Sequence, residues 1–104
     1  MYKRQDPLTA AIRELEEEAG YRASHMEVIG EFYSSPGMVT ESFTLFRATG
    51  LTRVSQGGGV DGEDITVHRV PLADIETFIA AKRAEGYGID TRLLLFLGPR
   101  LIQP

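Results

Sequence analysis

The sequence predicts an α/β layered fold in which helices cover a mixed sheet. Two observations carry this expectation. An amphipathic helix opens the patterned part of the chain and alternating apolar segments follow it. Two more helical segments then close the chain. Three strands do not readily bury two faces, so residues 6–104 read as the C-terminal part of a single larger domain whose N-terminal strands are missing. Residues 1–5 carry no apolar pattern and read as a leader of non-native origin, or else as a short disordered native one.

The opening helix has a start and a stop. Asp6 suits the N-cap and Pro7 the first turn, while Gly20 suits the position after the last turn. With about 100° per residue and Glu14 at zero, Glu17 falls near 300° and Glu18 near 40°, so three carboxylates share one arc. Leu8, Ala11, Ile12, Leu15 and Ala19 form a separate apolar arc, and Glu16 points elsewhere.

Residues 26–34 read as a strand, rich in apolar and aromatic side chains and ending in the turn signal Ser34-Ser35-Pro36-Gly37. Residues 42–52 read as a second strand, joined to the first through residues 38–41. The run Gln56-Gly57-Gly58-Gly59 reads as a flexible loop, and no Gly-Lys-Ser/Thr follows it to make a phosphate cradle. A third strand is expected over residues 64–70, where Ile65 and Val67 alternate with Thr66 and His68. Pro71 introduces a helix with Leu72, Ile75, Phe78 and Ile79 on one face. Gly86-Tyr87-Gly88 breaks it, Asp90 caps a last helix over residues 91–97, and Gly98-Pro99 ends that one.

Composition narrows the chemistry. The chain has 104 residues, 42% of them hydrophobic, which bounds it to one domain at most. A net charge of −4 without any basic run argues against nucleic acid as a partner. The absence of cysteine rules out disulfides, zinc-thiolate sites and thiol nucleophiles. No apolar run approaches the ~18 residues of a membrane span, and no signal peptide opens the sequence, so a cytoplasmic setting is the default.

The acidic arc is poorly placed for stability. Like charges at i,i+3 and i,i+4 repel, and here they crowd the negative end of the helix dipole. A hard divalent cation would offset that repulsion, and Mg²⁺ favours carboxylate oxygen. Runs of charge also occur simply as solvated surface.

The stretch Arg13-Glu14-Leu15-x-Glu17-Glu18-x-Gly20-Tyr21 resembles the core of the Nudix box, Arg-Glu-U-x-Glu-Glu-x-Gly-U with U bulky and apolar. Two later stretches, residues 31–41 and residues 61–72, resemble the corresponding parts of ADP-ribose pyrophosphatases. The resemblance implies an α/β/α sandwich and Mg²⁺-dependent hydrolysis of a nucleoside diphosphate linked to another group. ADP-ribose is the first candidate substrate, giving AMP and ribose 5-phosphate. Another nucleotide sugar, or binding without cleavage, are the alternatives. It implies further that Glu14, Glu17 and Glu18 bind Mg²⁺ or Mn²⁺, with Glu17 and Glu18 catalytic. Asp61 and Glu63 would supply a base or an extra metal contact from a loop. Arg13 and Glu41 fall on the substrate side, Arg13 more as the orienter of a carboxylate. Related enzymes are homodimers, which makes a dimer the expectation for the parent protein. One position departs. The family carries a Glu eight residues before the Arg, where this chain has Gln5, and that neutral amide would weaken metal binding or the orientation of Arg13.

Overall fold

The computed structural model describes residues 6–35, 37–38 and 41–103. The chain falls into two compact units, Met1–Val67 and His68–Pro104.

The first unit begins as its sequence dictates. Asp6 adopts an extended conformation, and its carboxylate accepts the Thr9 N–H at 3.2 Å, with Pro7 in the first turn of helix α1 (Pro7–Glu14). The helix does not continue as α to Gly20. Leu15–Ala19 form a π-helical turn, in which the N–H of Gly20 donates to the carbonyls of both Leu15 and Glu16 at 3.0 Å. Gly20 then takes a left-handed φ of 82°, which ends the helix as expected.

Strand β1 (Tyr21–Tyr33) pairs antiparallel with β2 (Ser42–Arg53). The strands run for 13 and 12 residues, roughly twice the usual length. Tyr21 lies opposite Arg53 at one end, and Tyr33 lies opposite Ser42 at the other. The register shifts between Val28 and Gly30, so the ribbon carries a bulge there. Cross-strand pairs knit it together: the Phe32 and Phe43 rings lie 6.0 Å apart, Glu27 forms an ion pair with Arg47, and the Arg53 guanidinium sits 5.5 Å over the Tyr21 ring. β1 starts five residues before the expected strand. Arg22, Ser24 and His25 mask it in the sequence, because no apolar alternation runs through them.

The expected third strand is corrected by the structure. Residues 64–70 have no regular secondary structure. A strand exists only by pairing, and the described sheet contains β1 and β2 alone. The α/β class therefore stands, with a two-stranded antiparallel sheet among the described residues.

In the second unit Leu72–Asp74 make a 3₁₀ turn that leads into α2 (Ile75–Ala84). Ile79, on the expected apolar face, is only 4% exposed and is the one buried large apolar side chain among the described residues. Lys82 covers the Phe78 and Tyr87 rings at 5.8 and 5.1 Å. Asp90 caps the next segment as expected, accepting the Arg92 N–H at 2.8 Å, and also holds the Arg92 guanidinium at 2.8–2.9 Å. These bonds lower the Asp90 carboxyl to about 2. The segment is a 3₁₀ turn (Thr91–Leu93), a single turn of α3 (Leu94–Leu97) and a further 3₁₀ turn (Gly98–Leu101), rather than one continuous helix. No helix among the described residues is long and apolar enough to cross a membrane.

In the first unit the apolar arc of α1 is only partly covered, with Leu8 and Ile12 about 40% exposed. Helix stability there leans on local devices, so the cap matters. Replacing Asp6 with Ala is expected to cost about 1 kcal/mol, read as an earlier loss of helical ellipticity in a urea titration. Asp6→Asn should retain most of the stability.

Candidate active site

The site is assembled at the junction of α1, the π-turn and the loop after β2. Glu14 is the last residue of α1, and Glu17 and Glu18 lie inside the π-turn. An i→i+5 turn is wider than an α turn, so each residue advances by less than the α-helical angle. Arg13 Nε stands 3.9 Å from Glu17 Oε2. Glu16 lies off the acidic arc and pairs with Arg22, whose Nε donates to it at 3.1 Å, and this bond lowers the Glu16 carboxyl.

The turn's end is held by the loop that follows β2. The N–H groups of Val54 and Ser55 donate to the Gly20 carbonyl at 2.8 and 3.3 Å. Gly58 N–H donates to the Glu18 carbonyl and Gly59 N–H to the Glu17 carbonyl, both at 2.8 Å. These are helix-end carbonyls without a partner further along the helix. The glycine run, expected to be merely flexible, is thus hydrogen-bonded onto the helix end. The carboxylate of Glu63 accepts the Val60 N–H at 2.7 Å, closing the turn that carries Asp61.

This brings Glu63 to the acidic face. Glu18 is raised above its ordinary value, first by desolvation and then by the charges of Glu14, Glu63 and Glu17. Glu14, Glu17 and Glu63 are thus each within electrostatic reach of Glu18. Among the described residues, no group of three or more His, Asp or Glu side chains is placed to hold a metal ion. Mg²⁺ needs only one or two carboxylates and keeps several waters, so an open acidic face suits it. Asp61 sits exposed in the same loop.

Glu41 is not part of this group. It is exposed just before β2, and its carbonyl accepts the Ser34 N–H at 3.5 Å. Gln5, Pro36 and Thr40 lie outside the described residues. Two hollows flank the acidic face. One, of about 510 Å³, runs along α1 past Glu14 and is lined by Glu31, Ser42, Phe43 and Phe46. The other, of about 390 Å³, lies beside Glu17, Arg22 and Gly57. Sequence reasoning passed over Glu31, whose carboxylate accepts the Ser42 hydroxyl at 2.6 Å. No spacing in the sequence signals that pairing, since it depends on strand register.

The NUDIX domain model matches residues 1–89. The chain belongs to the Nudix family. It is 37% identical over 73 residues to an ADP-ribose pyrophosphatase of Bacillus subtilis, covering 69% of this chain and 40% of that protein. It is 39% identical over 71 residues to a GDP-mannose pyrophosphatase of Cronobacter sakazakii, covering 66% and 37%. It is also 35% identical over 82 residues to a methanol dehydrogenase activator of Bacillus methanolicus, covering 78% and 44%. The chain thus spans less than half the length of these Nudix relatives.

The raised Glu18 has a testable sign. A carboxyl raised in the folded state favours folding while it is protonated, and that contribution is lost as pH rises through its folded value. At neutral pH the Glu18 charge is therefore a cost. Glu18→Gln should stabilise the protein slightly at pH 7, by about 0.2 kcal/mol, the low end for a like-charge pair because the exposed carboxylates are screened by solvent. Thermal unfolding should show the gain shrinking as pH falls through the carboxylate range, and at high salt.

Proposed function

We propose that this Nudix chain carries the diphosphate-cleaving centre of a hydrolase acting on nucleoside diphosphate sugars. ADP-ribose is the first candidate, with AMP and ribose 5-phosphate as products. The observation that carries the reading is that Glu18, raised first by desolvation, is raised further by the charges of Glu14, Glu63 and Glu17 around it. Such crowding is unfavourable for a structure and favourable for binding a divalent cation. Family membership supports the same reading.

In this reading Glu14, Glu17 and Glu18 hold Mg²⁺ or Mn²⁺. The ion would neutralise diphosphate charge and lower the pKa of water for attack. Arg13 orients the Glu17 carboxylate, consistent with their 3.9 Å separation. The loop bearing Asp61 and Glu63 supplies a carboxylate to take the proton from the attacking water. The attack forms one P–O bond and breaks the bridging P–O bond, and the departing phosphate carries away its electron pair. Glu41 faces the substrate from the turn between the strands. The groove beside Glu14 has aromatic walls and a polar rim at Glu31 and Ser42, a combination suited to one bulky end of the substrate. The surrounding architecture is read as an α/β/α sandwich.

GDP-mannose is the second substrate reading, because a relative of that name matches at 39% identity, beside 37% for the ADP-ribose relative. A panel of nucleoside diphosphate sugars, assayed with and without Mg²⁺, separates the two. Glu17→Gln and Glu18→Gln should each lower kcat by about 100-fold or more, as loss of a positioned acid–base or metal-holding carboxylate does. Undiminished metal-dependent turnover in both variants would overturn the proposal.

A further inference from the structure

The glycine run at residues 57–59 is used by none of the chemistry above, and it is built with unusual closeness to the helix end. All three glycines are left-handed, with φ of 72°, 98° and 87°. A Cβ on Gly57 would meet the Glu18 carbonyl oxygen at 2.6 Å, Ala19 C at 2.7 Å and Gly20 N at 2.9 Å. All of these are backbone atoms that cannot swing aside. A Cβ on Gly59 would run into the Glu63 side chain, with Glu63 Cβ at 2.8 Å. Two of its three N–H groups, those of Gly58 and Gly59, donate to the carbonyls of Glu18 and Glu17 at 2.8 Å. Ser55 Oγ accepts the Gly57 N–H at 3.1 Å, fixing the approach.

We propose that Gly57, Gly58 and Gly59 are positioning residues: a backbone clamp that suspends the acidic loop of Asp61 and Glu63 against the turn carrying Glu17 and Glu18. The clamp is attached to the very residues whose side chains form the acidic face. A shift of the glycine run therefore shifts the distance between loop carboxylates and helix carboxylates directly. Because the bonds are made by peptide groups, they engage none of the Glu14, Glu17, Glu18 or Glu63 carboxylates. Gly57 is required for approach, since its added Cβ would press on the helix backbone at 2.6–2.9 Å, while Gly59 is required for the Glu63 side chain to fold back beside it. The role in catalysis rests on the proposed function, whereas the clamp itself does not.

The test is solution NMR on the whole chain, as wild type, Gly57→Ala and Gly59→Ala. Gly86→Ala serves as control, since Gly86 is left-handed at φ 97° but has nothing within 4 Å of an added Cβ. In the wild type the Gly58 and Gly59 amides should exchange with solvent at least about tenfold more slowly than in Gly57→Ala, because a local opening has been made easier. Mn²⁺, added as a paramagnetic probe, should broaden the amide signals of residues 14–18 and 61–63 together in the wild type. In Gly57→Ala the broadening should persist on the helix and be lost from residues 61–63. Gly59→Ala gives the same reading should Gly57→Ala not fold, and Gly86→Ala should leave both signals as in the wild type. Equal exchange in wild type and clamp variants, or loop broadening that survives both substitutions, would overturn the clamp. Loss of protection in Gly86→Ala as well would also overturn it, by exposing a general loss of stability. If Mn²⁺ broadens neither segment in the wild type, the metal reading fails, and the exchange rates alone still decide the clamp.

Discussion

Like charge crowded at the C-terminal end of one helix is the constraint that organises the first unit. Glu14, Glu17 and Glu18 stand where the helix dipole is already negative, and Glu63 is brought to them from a loop. Glu16 belongs to the same run but lies off the acidic arc and pairs with Arg22. The sorting is physical: one carboxylate is paired and lowered, while another is left among its own kind and raised. Such an arrangement persists only if something other than the side chains holds it.

Backbone hydrogen bonds do the holding. The π-turn gives Gly20 a double acceptor in Leu15 and Glu16, and the loop after β2 takes up the carbonyls of Glu17, Glu18 and Gly20. Few large side chains are fully buried anywhere in the described residues, so burial contributes little rigidity at this end of the molecule. The carboxylates are consequently positioned from beneath by peptide groups. Their side chains remain exposed to solvent.

The sequence was informative where a local signal decides the structure. Asp6-Pro7 and Gly20 mark both ends of the helix, Asp90 marks a cap, and the spacing of Arg13, Glu14, Glu17 and Glu18 marks the family. It was less informative where pairing decides. The alternation over residues 64–70 resembles a strand, yet a strand also requires a neighbour with a free edge. Arg22, Ser24 and His25 do not look like strand residues, yet they lie in β1 because β2 runs beside them. The π-turn was not legible, since an extra residue in a turn changes no side-chain pattern and depends on which carbonyl the Gly20 N–H meets. The grouping of Glu63 with Glu18 was expected only through family likeness, because forty-odd residues of ribbon and loop separate them in the chain.

Gly20 and Gly57 bring these points together. A Cβ on Gly20 would meet Gly57 N at 2.8 Å, and a Cβ on Gly57 would meet Gly20 N at 2.9 Å. Each glycine therefore has a conformational reason, its positive φ, and a second reason supplied by the other. Read alone, Gly20 is a helix stop and Gly57 is one member of a flexible run. Read as a pair, they allow the helix end and the loop to meet backbone to backbone. A substitution at either one would separate the carbonyls of Glu17 and Glu18 from the amides that hold them. The box glycine thus acts at a distance from its own turn: it ends the helix, and it also leaves the space into which the acidic loop is docked.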